Sequence, residues 1–238
     1  MAIDINCDTG ESIGNDEELM QFITSANIAC GYHAGDEQTM RTTLLLAKQY
    51  GVAAGAHPSY MDREHFGRTE MDCTPQEVYG LVVHQVAALE EVAKECGMVL
   101  HHVKPHGALY NKAARDQELA AAIAKAVRDC NPALMLYGLS GSFLISEGKA
   151  AGLSTRSEVF ADRTYSDDAS LTPRSEPNAL ITDVEQAVQQ VEEMVREGVV
   201  TSVNGVRVPI VAETVCIHGD GPMAVEIAKA IKERFTNR

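Results

Sequence analysis

Seven short apolar runs recur along this chain, and most are followed by a stretch of helical spacing. They are Ile3–Cys7, Ala26–Cys30, Val52–Ala56, Val99–Val103, Ala133–Gly138, Thr155–Phe160 and Ala212–Ile217. Several are apolar on both faces, as parallel strands are when both sides of the sheet are covered. Parallel strands need crossover helices, so a β-α unit repeated about seven times specifies an α/β fold. Two architectures satisfy the pattern: a closed barrel or an open, doubly wound sheet. No Gly-rich phosphate fingerprint follows the first run, which weighs against a dinucleotide-binding open sheet. The 238 residues contain no linker or break in composition, and a single barrel domain over 1–238 is expected.

The helical stretches carry their own signals. Met40, Leu44 and Ala47 line one face of Asp36–Tyr50. Thr74–Cys96 shows a near-continuous stripe through Val78, Val82, Gln85, Leu89, Val92 and Ala93, and Thr74, Pro75 and Glu77 form a capping-box start. Leu119, Ile123, Val127 and Cys130 mark another helix, Ser140–Ala151 a shorter one. Thr182 and Glu185 suggest a second capping box, and a last helix begins after Gly221-Pro222. Val200–Val208, with Asn204-Gly205 at its centre, reads as a small hairpin added to the barrel. Ala161–Ile181 is the longest irregular segment, and a loop of that length is more often functional than idle.

Aromatics make up only 5% and Trp is absent, so the core must be built from Ala, Val, Ile, Leu and Met. A net charge of −14 with no Lys/Arg cluster argues against nucleic-acid and anionic-membrane partners. No apolar run is long enough to span a bilayer, and the first residues lack the pattern of a secretory signal. The expectation is a cytoplasmic protein with six free thiols, of which Cys7, Cys30 and Cys216 read as small buried hydrophobes.

Polar residues collect at the ends of the strand candidates. Asp8 and Glu11 follow the first, His33 and Asp36 the second, His57 the third, Lys104 and His106 the fourth, Asp162 and Arg163 the sixth, His218 and Asp220 the seventh. Parallel strands present their carboxyl ends on one face, so these groups converge on one rim. Several histidines and carboxylates on one rim suit general acid/base work or a divalent metal, with Asp8, His33 and His57 as candidate ligands. Lys104 and Arg163 suit an anion or a developing oxyanion. His101 and His102 point to opposite faces of their strand, so at most one faces inward. His65 and His84 lie off the strand ends, and GLSGS lacks the nucleophile elbow of a serine hydrolase.

At these residues the chain resembles the LamB/YcsF family. The motifs that carry the resemblance are Asp4–Ser12, Thr24–Asp36, Gly55–Tyr60, Phe66–Arg68, Val103–Asn111, Glu158–Tyr165 and Cys216–Gly221. The resemblance implies a barrel similar to the glycoside hydrolase/deacetylase group, seven-stranded and incompletely closed. It implies ATP-dependent opening of the lactam 5-oxo-L-proline to L-glutamate, with ADP and phosphate released, in a complex with 5-oxoprolinase subunits B and C. The chain departs from the family pattern in three places: Cys7 and Thr9 replace the usual fillers between Asn6 and Glu11 while the acids stay, Thr69 stands where a second Arg often follows, and Ala169 where Gly is usual.

A five-membered lactam is a poor electrophile, and phosphorylating its carbonyl oxygen creates a leaving group before water attacks. On this reading Asp8, Glu11, His33, His57, Lys104 and His106 carry the catalysis. Asp36, Arg68, Asp162, Arg163, His218 and Asp220 hold substrate or phosphate. ATP with Mg²⁺ is the expected cofactor. No Walker-type P-loop is present, so the nucleotide site is elsewhere on the rim or needs the partner subunits. Two alternatives stand beside it: a stand-alone metal-dependent amidohydrolase or carbohydrate deacetylase, and a non-catalytic component that only binds substrate.

Overall fold

A computed structural model describes residues 3–236. Its elements run β1 (Asp4–Thr9), α1 (Asp16–Met20), β2 (Ser25–Ala29), α2 (Glu37–Tyr50), β3 (Ala53–His57), α3 (Pro75–Glu95), β4 (His102–Val103), α4 (Gly107–Arg115) and α5 (Gln117–Cys130). They continue with β5 (Met135–Leu139), α6 (Phe143–Ala150), β6 (Thr155–Phe160), α7 (Val184–Glu192), β7 (Val199–Thr201), β8 (Arg207–Pro209), β9 (Thr214–Ile217) and α8 (Ala224–Thr236). A π-helical turn, Glu193–Glu197, extends α7.

The seven expected runs become β1 to β6 and β9, all parallel, in the order β1-β2-β3-β4-β5-β6-β9. The barrel is closed, which corrects the expectation of incomplete closure: β9 pairs with β1 through Asp4↔Thr214 and with β6 through Glu158↔Thr214. The short hairpin of β7 and β8 forms as read, antiparallel and outside the barrel. Thr74 and Glu77 complete the capping box of α3. The cap of α7 is instead Asp183, whose carboxylate accepts from Gln186 N at 2.8 Å, so Thr182 does not cap. Two helices lacked a recognised signal: α1 is one turn, and α4 starts directly after His106.

Alternation along each strand divides the molecule into two environments. Outward residues such as Ile5, Ile28, Ala56, Val103, Leu136, Val159 and Val215 are fully buried against the helices. They meet Leu44, Val82, Leu89, Ile123 and Ile227, and each such Leu or Ile contributes roughly 1.5–3 kcal/mol relative to exposure. Inward positions are different. Register puts Asp4, Asn6 and Asp8 of β1 beside Thr214 and Cys216 of β9 and beside Ser25 and Asn27 of β2. Gly55, His102, Tyr137, Glu158 and Lys104 complete the ring. Barrels of this kind are ordinarily filled by Val, Ile and Leu; this one is filled by a hydrogen-bonded polar column.

The column is satisfied almost throughout. At its base Asp4 accepts from Thr24, Ser25, Tyr137 and Thr214. Asn6 donates to Thr214 at 2.8 Å, and Asn27 donates to Asn6 Oδ1 at 2.7 Å and to Asp8 Oδ1 at 2.8 Å. His102 bonds Asn27 Oδ1 at 2.8 Å and stacks on Tyr137 at 4.2 Å, so it is the inward member of the His101–His102 pair. Gly55 makes room for it: a Cβ there would lie 2.3–2.4 Å from three His102 ring atoms.

Candidate active site

The top of the polar column opens into a cavity of about 680 Å³ at the carboxyl ends of the strands. Its lining includes Asp8, His57, Lys104, His106, Arg163 and His218. A second cavity of equal volume lies between α7 and the β7–β8 hairpin. Its ionisable lining, Glu193 and Glu197, has one sign of charge only, so it lacks the acid–base convergence of the first.

Asp8 is the hub. Its Oδ1 accepts from Lys104 Nζ at 2.9 Å and from Asn27, and its Oδ2 lies 3.3 Å from His57 Nε2. Burial alone would push the Asp8 carboxyl up, but His57 and Lys104 outweigh it and hold it well below the usual carboxylate range. Lys104 is buried too, 3.0 Å from Glu158 Oε1, and its Nζ also donates to Cys216 Sγ at 2.9 Å. Burial disfavours the ammonium, yet Asp8, Cys216 and Glu158 prevail and raise its pKa well above that of a free lysine. Tyr110 of α4 fixes the far oxygen of Glu158 at 2.7 Å.

Beside the hub lies a histidine cluster. His33 and His106 are stacked, with ring centroids 3.9 Å apart, and His57 stands edge-on to both. Each ring is anchored on its outer side. His57 Nδ1 meets Lys104 O at 2.7 Å, His106 Nε2 meets Phe66 O at 2.9 Å, and His33 Nδ1 meets Ser59 Oγ at 2.9 Å. Glu11 Oε1 lies 3.2 Å from His33 Nε2. Burial, seconded by Asp8, pushes the Glu11 carboxyl well up. Burial also drives His33 down to about 3 and His106 well below the ordinary imidazole value, so both rings are neutral at physiological pH. The Phe66-Gly67 turn that supplies the anchor is strained: Phe66 holds φ 58°, a left-handed value rare outside glycine. Gly67, at φ 67°, passes so close that a Cβ would sit 2.9 Å from both His106 and His33.

The opposite wall belongs to the loop after β6. Asp162 receives His218 Nδ1 on both oxygens, at 2.9 and 3.0 Å, and the His218 backbone N–H as well. Burial opposes the Asp162 charge, but His218 more than offsets it and lowers the carboxyl pKa. Arg163 is buried with its guanidinium on the carbonyls of Thr172 and Ala179, not on a carboxylate. Burial and then the neighbouring Arg174 push it down to about 10. Arg68 reaches Asp220 and lies over the Phe66 ring.

The LamB/YcsF family profile matches residues 3–238. The chain belongs to the LamB/YcsF family. The 5-oxoprolinase A subunit of Bordetella pertussis is 57% identical over 236 residues, covering 97% of this chain and 94% of that protein. That of Geobacillus kaustophilus is 56% identical, covering 99% and 93%. The crystal structure of a lactam utilization protein from Thermus thermophilus superposes with a TM-score of 0.93 at 44% identity, over 100% of this chain and 97% of that one. A family 4 carbohydrate esterase from Streptomyces lividans shares the barrel only, with a TM-score of 0.51 at 11% identity over 99% of this chain and 88% of the esterase.

In this LamB/YcsF chain eleven of the twelve candidate site residues lie at the rim, and one does not. Asp36 is exposed and caps α2 by accepting from Thr39 N at 2.8 Å. Lys104 reaches the rim but is clasped between two carboxylates, so it positions Asp8 and is not a free anion clamp. The metal trio of Asp8, His33 and His57 is regrouped: Glu11, His33, His57 and His106 converge, while Asp8 joins Cys216 and His218. Cys216 is thus a ligand of Lys104 and more than a small hydrophobe. Asn6, Asn27, Tyr110, Glu158 and Arg174 were missed. The first two and Glu158 were findable from parity, because polar residues two apart in a barrel strand share the inner face. Among the described residues, no helix is long and apolar enough to cross a membrane.

Proposed function

We propose that this chain is the A subunit of a three-component 5-oxoprolinase. With subunits B and C it hydrolyses 5-oxo-L-proline to L-glutamate at the expense of ATP, giving ADP and phosphate. One observation carries the geometric side of this reading: a cavity whose floor is the Asp8–Lys104 ion pair with the His57 ring beside it and whose wall carries Arg163, Arg174 and His218. The near-full-length relatives named as 5-oxoprolinase A subunits supply the substrate class.

The site suits the two demands of the reaction. Arg163 faces the cavity with its hydrogen bonds on carbonyls and no carboxylate bonded to it among the described residues, with Arg174 beside it on the wall. Such cations suit the substrate carboxylate and a phosphorylated carbonyl oxygen. His57 Nε2 lies 3.3 Å from ionised Asp8, and the Asp8 carboxylate at the cavity floor is placed to take the proton of the attacking water. His218, its Nδ1–H held by Asp162, keeps Nε2 available to take a proton from water and pass it to the departing lactam nitrogen. Magnesium accompanies the nucleotide as the counter-ion of its phosphates.

The deciding assay measures glutamate released from 5-oxoproline, with and without ATP and with and without subunits B and C. ATP-dependent glutamate from the full complex is expected. Its absence there defeats the proposal. Asp8→Asn and His57→Ala in the assembled complex are expected to abolish turnover. Full turnover in both would make this chain a substrate-binding component only.

A further inference from the structure

Hydrogen-bond accounting around the histidine cluster leaves a gap. Lys104 O and Phe66 O only accept, so the ring nitrogens facing them, His57 Nδ1 and His106 Nε2, must both carry hydrogen. The Ser59 hydroxyl donates to Tyr60 O at 2.9 Å, so it accepts from His33 Nδ1, which carries hydrogen as well. In a neutral ring the other nitrogen is then bare. The bare atoms are His33 Nε2, His57 Nε2 and His106 Nδ1, and all three point inward. His57 Nε2 and His106 Nδ1 face each other at 2.9 Å, and Glu11 Oε1 lies 3.2 Å from His33 Nε2 and 3.6 Å from His106 Nδ1. With Glu11 as a carboxylate, four acceptors meet with no donor among them, and Asp8 Oδ2, 3.3 Å from His57 Nε2, adds a fifth. Two positive charges resolve the conflict, either as two added protons or as one divalent cation.

We infer that Glu11, His33, His57 and His106 form a site for one divalent transition-metal ion of the zinc class. Three imidazoles and a carboxylate are the donor set such ions prefer over Mg²⁺ or Ca²⁺. One ligand atom from each of the four lies within 4.8 Å of the others. For tetrahedral zinc with Zn–N of about 2.0–2.1 Å, ligand atoms stand roughly 3.3 Å apart. The contacts of 2.9, 3.2 and 3.6 Å bracket that value. The outer anchors point the same way, because a metal-bound histidine characteristically donates its remaining N–H to a carbonyl or similar acceptor. Here all three do. The His33 and His106 rings lie 6° from parallel, so a shared ion tilts them out of their stack. Bound there, the ion would activate water or polarise a carbonyl at the cavity floor, next to Asp8.

This site goes beyond the lactam reading, and its test uses no substrate. The full-length chain, stripped with chelator and dialysed, is titrated with Zn²⁺ against a competing chromophoric chelator, and separately with Co²⁺. One ion per chain is expected, bound at micromolar or tighter affinity, with visible Co²⁺ bands of tetrahedral N/O coordination and a rise in unfolding temperature. His33→Ala, His106→Ala and Glu11→Gln should each weaken binding at least tenfold and change the Co²⁺ spectrum. His65→Ala, at an exposed histidine outside the cluster, should do neither. Far-UV circular dichroism shows which variants are folded, and Glu11→Gln serves where a histidine variant is not. Absence of stoichiometric binding to folded wild-type chain overturns the inference, leaving two protons in place of the ion. Undiminished binding in every folded cluster variant overturns it as well.

Discussion

Replacing Lys104 by Met keeps the stem of the side chain and removes its charge. The ammonium sits among Asp8 Oδ1 at 2.9 Å, Cys216 Sγ at 2.9 Å, Glu158 Oε1 at 3.0 Å and Asn6 Oδ1 at 3.3 Å, all buried. Its loss leaves two carboxylates in the lumen without their cation. Breaking a buried ion pair from one side costs about 3–5 kcal/mol, against a total stability of about 5–15 kcal/mol for a typical domain. Protonation limits the damage. In the variant Asp8 loses one of the two cations that hold its carboxyl low, and burial then pushes it up past its unfolded value of about 3.9, so the native state holds a proton that the unfolded state has released. The variant therefore gains on wild type as pH falls from 7 to 5, by up to about 1.4 kcal/mol per pH unit as that carboxyl protonates. The chain has no Trp, so urea unfolding is followed by far-UV circular dichroism at both pH values. A Lys104→Met loss below about 1 kcal/mol at pH 7, or an equal loss at pH 7 and pH 5, would refute the reasoning.

Gly55→Ala drives a methyl into the His102 ring and is expected to destabilise by about 1–3 kcal/mol; an unchanged urea midpoint would show that the lumen yields easily. Ala169 holds φ 65°, and a left-handed alanine costs about 1–2 kcal/mol. Ala169→Gly should therefore stabilise by roughly 0.5–1 kcal/mol after the entropy of glycine is subtracted, and a lower melting temperature would contradict it. Burial holds His102 at about 3, below the unfolded value of about 6.5, so the unfolded chain takes up a proton first. Stability of the wild-type chain should then fall as pH drops from about 6.5 toward 3, with His102 contributing up to about 1.4 kcal/mol per pH unit. A flat unfolding free energy between pH 7 and 5, measured in chelator, would rule that out.

The fold was legible because parallel strands leave a strong trace: short runs apolar on both faces, with helical stripes between most of them. Closure was not, since it depends on whether β9 reaches β6, and no local pattern encodes that pairing. α1 escaped because five residues give too little periodicity. The rim was legible from topology alone, which brought Asp8, His33, His57, His106 and His218 together before any distance was known. Roles were harder. Lys104 looks like an anion clamp until Glu158 is placed opposite, and that contact spans 54 residues and two strands. Asp36 looks like a rim carboxylate because it follows a strand, yet the same position is the N-cap of the next helix, and the cap wins.

The polar column has a thermal consequence. Exposing apolar surface raises the heat capacity of unfolding by about 0.45 cal/K/mol per Å², while exposing polar surface lowers it by about 0.26. Unfolding this barrel releases an apolar shell and a lumen of Asp, Asn, His, Lys and Glu at the same time. Its heat-capacity change should fall below that of an equally long barrel filled by Val, Ile and Leu, and its stability curve should be correspondingly flatter. The side chains that prepare the rim for chemistry thereby also widen the temperature range over which the chain stays folded.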